Sequence, residues 1–271
     1  MRLINRKPGR ILGLILLLVP FMAVLAAYKI GSDIRLAENP RDKLLPAPTA
    51  VVETAGRLVS TPDKRSDTIL FWQDTAVSLQ RLATGIGIAA LISMVFGMLI
   101  GLLPYARALF AGFVNVLSMV PPLAILPILF IVFGLGETSK VALITIGITP
   151  FLIRDLGQRV LEIPTEMMVK AQTLGATSFV IALRLALPQL LPRLIQSIRL
   201  SLGPAWLFLI ASEAIASEAG LGYRIFLVRR YLAMDIILTY VVWITILAFL
   251  IDYGLKKLGE YAFPWFGKDG L

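Results

Sequence analysis

Six long apolar segments run through this chain, and together they decide what it can fold into. They lie at residues 11–28, 75–103, 108–133, 141–160, 194–215 and 236–255, each near or above the ~20 residues a helix needs to cross a bilayer. With 58% hydrophobic residues, 16% charged residues and a mean hydropathy of +0.83, the 271 residues hold more apolar surface than a soluble domain can bury. The predicted fold class is all-α, a polytopic membrane protein with about six transmembrane helices.

The flanking charges orient these spans. Arg2, Arg6, Lys7 and Arg10 precede the first segment without an acidic residue, which keeps the amino terminus in the cytoplasm. The uncharged run at 11–28 is long for the core of a cleaved signal and no small-residue cleavage site follows, so residues 1–30 read as a retained first helix. Residues 31–74 then lie outside, rich in proline, with one short helix at 48–59 resting along the membrane on Val51, Val52, Ala55 and Leu58. Residues 75–271 form the core, and both termini are expected in the cytoplasm. Arg107, Lys170, Arg184, Arg193, Lys256, Lys257 and Lys268 fall on the inner side and agree with this. Arg224, Arg229 and Arg230 fall outside; they are candidates for attracting an anion or docking an acidic partner face.

Several residues within the spans carry more than hydropathy. Gly97 and Gly101, with Gly85 and Gly87 upstream, allow close helix packing, expected within the chain rather than between copies. A tight inside turn is predicted at PYAR, residues 104–107. The third segment contains Ser118, Pro121, Pro122 and Pro127, so its backbone hydrogen bonding must break where protein or a water-filled cavity can satisfy it. Ser118, Pro121 and Pro122 are therefore candidate residues of a translocation pathway. Arg154 and Asp155 can pair locally or meet headgroups. Glu213 ends an uncharged run and joins the pathway candidates, although a carboxylate at the bilayer centre costs ~2.5–3.5 kcal/mol and near an outer end can simply hold structure together.

Absences narrow the chemistry. There is no cysteine and no histidine, so disulfides, thiolate metal sites and imidazole catalysis are excluded, and neither a metal site nor catalytic residues are expected. The net charge of +9 is scattered rather than carried on a soluble face, which argues against nucleic acid. No GxxxxGK[ST] phosphate loop occurs, so any nucleotide-driven work needs a partner.

Between the fourth and fifth segments, residues 162–192 are too polar to cross a membrane. They read as two short helices joined at Gly175, which falls where a C-terminal cap would lie. Pro164 suits the first position of one helix, and Thr177 or Ser178 can cap the other, which should stop before Pro188. Met167, Met168, Leu174 and Phe179 place apolar side chains on this water-facing connection, a surface suited to the groove of a partner protein.

This loop resembles the cytoplasmic signature of permease subunits of bacterial ATP-binding-cassette importers: EAA, three residues, Gly, nine residues, Ile, any residue, Leu-Pro. Val169, Lys170, Ala171, Gly175, Leu185, Leu187 and Pro188 stand at the seven marked positions, and four match. The leading acidic residue is lost to Val169. LPAPTAVVE (45–53), SLQRLATG (78–85), VPPLAILPILFIVFGLGETSK (120–140) and SEAGLGY (217–223) look like the subgroup importing nitrate, sulfonates, taurine and related small anions. The resemblance implies a type I importer permease in the bacterial inner membrane, a non-catalytic subunit forming the pathway with a second copy, as a homodimer. It implies two ATP-binding subunits holding ATP and Mg, a periplasmic solute-binding protein, surrounding membrane lipid, and no cofactor on this chain. The coupling residues it marks are Glu166, Lys170, Ala171, Thr173, Leu174, Gly175, Ala176, Thr177, Leu187 and Pro188. For an anion importer a bare Glu213 would repel solute, which favours its structural role. A secondary transporter or channel working without an ATPase is the alternative, although no internal repeat supports it. An intramembrane enzyme would need a carboxylate or serine–lysine pair that does not emerge. A permease of the same fold for a cationic or neutral solute also stays open.

Overall fold

The computed structural model describes residues 9–40, 42–63 and 67–266, and every regular element among these is helical. Arg2, Arg6, Lys7 and Lys268, invoked above for orientation, lie outside the described residues. The chain divides into two compact units: residues up to 69 with 228–241, and residues 70–227 with 242 onward.

In the first unit, α1 (Arg10–Glu38) continues beyond residue 28 through a polar end. Its apolar turns, Ile11 to Leu25, leave their large side chains exposed, a surface suited to lipid. The polar end instead gathers the chain that follows. Tyr28 donates to the Pro46 carbonyl at 2.6 Å, Ser32 to the Leu45 carbonyl at 3.0 Å, and Arg35 pairs with Asp42 at 2.6 Å. Helix α2 (Pro48–Ser60) opens on a proline whose missing N–H costs nothing at that position. Its inner stripe is Val51, Thr54, Ala55 and Leu58, at i, i+3, i+4 and i+7. Val52, predicted on that stripe, is 71% exposed, and Thr54 takes the inward place by donating to Asp235 at 2.8 Å.

The second unit begins with α3 (Leu70–Leu102) and α4 (Pro104–Leu117), then a 3-10 turn (Pro122–Ile125) and α5 (Leu126–Phe133). Helix α6 (Glu137–Leu161) leads to α7 (Thr165–Thr173), α8 (Ser178–Ile181), a π turn (Ala182–Ala186) and α9 (Leu187–Ile215). Helices α10 (Leu221–Arg229) and α11 (Met234–Ala262) complete the order. Five helical stretches are long and apolar enough to cross a membrane, and α4 with Pro122–Phe133 makes a sixth if a pair bent by 83° counts as one span.

Helices α3 and α6 are the central pair. A Cβ on Gly97 would stand 2.7 Å from the Leu156 Cβ, and one on Gly101 2.2 Å from the Val160 Cβ, so the GxxxG pattern serves contact within the chain. Ser93 adds a hydrogen bond across this contact to the Thr149 carbonyl at 3.2 Å. Leu143, Ile144, Leu152 and Leu156 are fully buried on α6.

One predicted turn is a helix start instead. PYAR is the first turn of α4, with Pro104 preorganised for it and the reversal made at extended Leu103. Arg107 then donates back to the carbonyls of Ile100 at 3.0 Å and Gly101 at 2.6 Å, satisfying the end of α3. Between α5 and α6, Gly134 turns at φ +75 and residues from Glu137 onward are helical. Gly101→Leu is expected to wedge α3 from α6 and lower the thermal unfolding midpoint in detergent, by about 1–3 kcal/mol of stability. Gly87→Leu, at a position where a Cβ meets nothing within 4 Å, should leave that midpoint unchanged.

Candidate functional site

Local backbone chemistry builds the polar loop after α6. Pro164 is extended and stands just before α7 rather than inside it, and Glu166 lies in the first turn. At the other end the Ala176 N–H donates to the Ala171 carbonyl at 3.0 Å and the Gly175 N–H to the Gln172 carbonyl at 2.9 Å. These paired bonds are a Schellman cap, and Gly175 supplies the required positive φ of +82. Thr177 then caps α8, its hydroxyl accepting from the Val180 N–H at 3.4 Å. The elbow is thus fixed at two adjoining caps.

The second short helix does not stop before Pro188. An interior proline would clash with the carbonyl four residues earlier, but the π turn widens the backbone there. The Leu187 N–H reaches the Ala182 carbonyl, and the helix passes through Pro188 into α9. The second short helix and the span are therefore one continuous helical rod.

Ile163, Ala186 and Leu190 bury against Met94, Leu156 and Val160, with Met168, Leu185 and Leu187 packed around them. Met168 thus turns inward, contrary to the expectation that it faces water. Met167, Val169, Leu174 and Phe179 remain outside, Leu174 at 88% and Phe179 at 72% exposure. Glu166, Lys170, Thr173, Gly175 and Thr177 share this exposed surface, while Ala171, Ala176, Leu187 and Pro188 are half-buried. The loop presents apolar side chains on a rigid mount.

The broken third segment lies beside the C-terminal half of α6. Ser118 follows the end of α4 and donates to the Asn115 carbonyl at 2.7 Å; Pro121 is extended, and Pro122 opens the 3-10 turn. A cleft of about 540 Å³ opens between α4 and α6, lined by Arg107, Asn115, Phe151, Arg154, Asp155 and Gln158 among others. Arg154 donates to the Ser118 hydroxyl at 2.8 Å. Asp155 does not pair with it: its carboxylate accepts from Ser197 and stands 3.6 Å from Arg159.

Glu213 lies elsewhere, fully buried in a network that ties α3, α6, α9 and the turn into α10. Arg81 donates to Glu137 at 2.5 and 2.6 Å, to Glu213 at 2.7 Å and to the Ala219 carbonyl at 2.8 Å. Glu213 also accepts from Ser78 at 2.7 Å and from the Gly222 N–H at 2.8 Å. Asp74 accepts from the Gly220 N–H and from Arg224, both at 2.8 Å, so Arg224 is engaged within the chain. Gly220 is at φ +127, and a Cβ there would lie 2.5 Å from the Glu213 carboxyl. The glycines of SEAGLGY are there to let this turn close over the carboxylates. Arg81 and Asp74 were not singled out in the sequence, although Asp74, Ser78 and Arg81 recur at i, i+4 and i+7 inside a spanning segment. Among the described residues no group of three His, Cys, Asp or Glu side chains is placed to hold a metal.

Comparison with known proteins identifies the family and the fold. The family described as "Binding-protein-dependent transport system inner membrane component" matches residues 84–256. The chain is 34% identical over 224 residues to the taurine transport system permease protein TauC of Escherichia coli (strain K12), covering 83% of this chain and 81% of that one. It is 32% identical over 186 residues to the bicarbonate transport system permease protein CmpB of Synechococcus elongatus, covering 68% and 66%. A chain of the MetNI methionine ABC transporter, in an inward-facing conformation, superposes with a TM-score of 0.63 at 21% identity over 73% of this chain and 99% of that one. Glu213→Ala is expected to destabilise the protein by about 3–5 kcal/mol, because it leaves the buried Arg81 charge short of one partner. An Arg81→Met, Glu213→Leu double variant should recover part of that loss in the same detergent unfolding assay.

Proposed function

Because the chain belongs to the binding-protein-dependent transport system inner membrane component family, we propose that it forms half of the pathway through which an importer moves a small anion. The observation that carries this reading is the capped loop from α7 to α8, which exposes Leu174 and Phe179 while its root is locked into the core through Ile163, Ala186 and Leu190. Such a surface fits the cleft of an ATP-binding subunit. A displacement of that subunit would be delivered to α6 on one side and to the continuous α8–α9 rod on the other.

In this reading a second copy of the chain completes the pathway, two ATP-binding subunits supply energy from ATP and Mg, and a periplasmic binding protein delivers solute. The setting is the bacterial inner membrane with both termini in the cytoplasm. Taurine and bicarbonate in the relatives' names share a small oxyanion, and that is the solute class proposed here. Ser118, Pro121 and Pro122 belong to the pathway, whereas Glu213 serves structure, since its oxygens are taken by Ser78, Arg81 and Gly222. The residues Glu166 to Thr177 carry force rather than chemistry.

Mild-detergent purification of the tagged chain from its native host should bring down an ATP-binding subunit, and Leu174→Asp with Phe179→Asp should lose it. Failure of the unaltered chain to retain any ATPase would overturn the importer reading. Nothing lies within 4 Å of a Cβ placed on Gly175, so a substitution there acts through its positive φ alone. Gly175→Val is therefore expected to reduce coupled uptake several-fold while ATP hydrolysis persists. Gly175→Asn, which tolerates that conformation, should stay close to the unaltered protein.

A further inference from the structure

Arg154 sits on α6, a helix long and apolar enough to cross a membrane, and among the described residues no carboxylate lies within ion-pair distance of it. Arg81 is matched by Glu137 and Glu213 and Arg199 by Asp252 at 2.8 Å, whereas Arg193, likewise without a carboxylate, bonds to Gln196 and lies over the Phe266 ring. The neighbour that could have matched Arg154 is turned away, because Asp155 is held by Ser197 and Arg159. A guanidinium carries five N–H donors, and the Ser118 hydroxyl occupies one. The remaining donors border a cleft of about 540 Å³, large enough for a solute of a few heavy atoms. Arg154 is exposed and stands two turns from the end of α6, and an ionisable group within a spanning segment that has no counter-charge is a candidate for an ion or substrate path.

The rest of the cleft, apart from the Asp155 carboxylate that Ser197 and Arg159 engage, suits the same ligand. Arg107 adds a second cation, although its Nε and one terminal nitrogen are spent on the carbonyls at the end of α3. Asn115 and Gln158 add neutral polar groups, and Phe151 an apolar wall. The Ser118 hydroxyl gives its proton to the Asn115 carbonyl and so accepts from Arg154, which holds the guanidinium at the break between α4 and the 3-10 turn.

We propose that Arg154, held in place by Ser118, is a solute-binding residue that takes the oxyanion of the transported molecule bidentately in the cleft between α4 and α6. The planar fork of arginine matches sulfonate, nitrate and carboxylate oxygens in a way that a lysine ammonium does not. This deepens, and rests on, the reading of the chain as an anion importer.

The test uses the complete complex with its ATP-binding subunits and binding protein, reconstituted in phosphatidylcholine liposomes, with labelled taurine, nitrate and bicarbonate as probes. Arg154→Gln is expected to cut the uptake rate of the carried probe at least 10-fold, with assembly and binding-protein-stimulated ATP hydrolysis retained. Arg154→Lys should recover only part of the rate, and Ser118→Ala should raise the apparent KM several-fold. Wild-type uptake by Arg154→Gln would overturn the proposal while leaving the importer reading intact. Loss of the second copy from the Arg154→Gln complex would overturn it in favour of a pairing between subunits. A requirement of the unaltered complex for phosphatidylglycerol, removed in Arg154→Gln, would overturn it in favour of a lipid phosphate. Uptake of none of the anionic probes by the unaltered complex, with uptake of a neutral or cationic solute instead, would overturn the anion reading itself.

Discussion

Arg81 enters the protein interior from α3 with 5% of its side chain exposed, and so it must find its counter-charges inside. It finds fully buried Glu213 near the end of α9, and reaches outward to the largely exposed Glu137 at the start of α6. Those two contacts, made by one side chain, fix the relative positions of three spanning helices at one end. Everything nearby follows from keeping the group satisfied. Ser78 occupies the second lone pair of the shared oxygen, Gly222 occupies the other oxygen, and Gly220 has no side chain because a Cβ would strike the carboxyl. A buried ion pair of this kind is weak evidence for stability, since desolvation offsets much of the attraction. Its value here is geometric: few other arrangements of α3, α6 and α9 leave no charge unmatched.

At the other end the same helices are joined by steric fit. Gly97 and Gly101 bring α3 against Leu156 and Val160, and those residues also form the floor on which Ile163, Ala186 and Leu190 pack. The loop between α7 and α8 is therefore rooted where α3 and α6 meet in close contact. Close-packed interiors transmit displacement rather than absorb it. The Schellman cap at Gly175 and the threonine cap at Thr177 extend the stiffness to the exposed tip, and the π turn extends it past Pro188 into α9. A flexible loop with the same exposed Leu174 and Phe179 could bind a partner, but it could not move a helix.

What was legible in the sequence is what short-range chemistry decides. Gly175 and Thr177 follow from cap preferences that act over five or six residues, and the break at Pro121 and Pro122 follows from missing donors. The GxxxG contact was legible for a similar reason, since small size permits only close packing. What tertiary structure decides was not legible. Pro188 reads as a stop until a π turn, stabilised by burial of Ala186 and Leu190, makes room for it. Val52 and Thr54 exchange places because Asp235, distant in sequence, offers Thr54 an acceptor. The polar stripe of Asp74, Ser78 and Arg81 was available to a search at helical period, but its partners lie more than 130 residues away for Ser78 and Asp74. Arg154 and Asp155 look like a local pair until Asp155 is seen to bond to Ser197.

The two ends differ in charge balance in a way that bears on an anionic solute. At about 10 Å and an effective dielectric of about 20, a bare carboxylate repels a passing monoanion by about 1.7 kcal/mol, enough to depress its local concentration more than 10-fold. Glu213 does not act as a bare carboxylate. Around it Arg81, Lys140 and Arg224 face Asp74, Glu137 and Glu213, so formal charge cancels within bonding distance and the field left at long range is that of small opposed dipoles. The conflict between an acidic residue and an anion pathway is thus removed by neutralisation, without displacing the residue. In the cleft beside α4 the balance is left uneven: Asp155 is drawn to Ser197 and Arg159, and Arg154 keeps its charge toward the opening. One end of the unit presents balanced charge, and the other leaves a cation without a carboxylate partner.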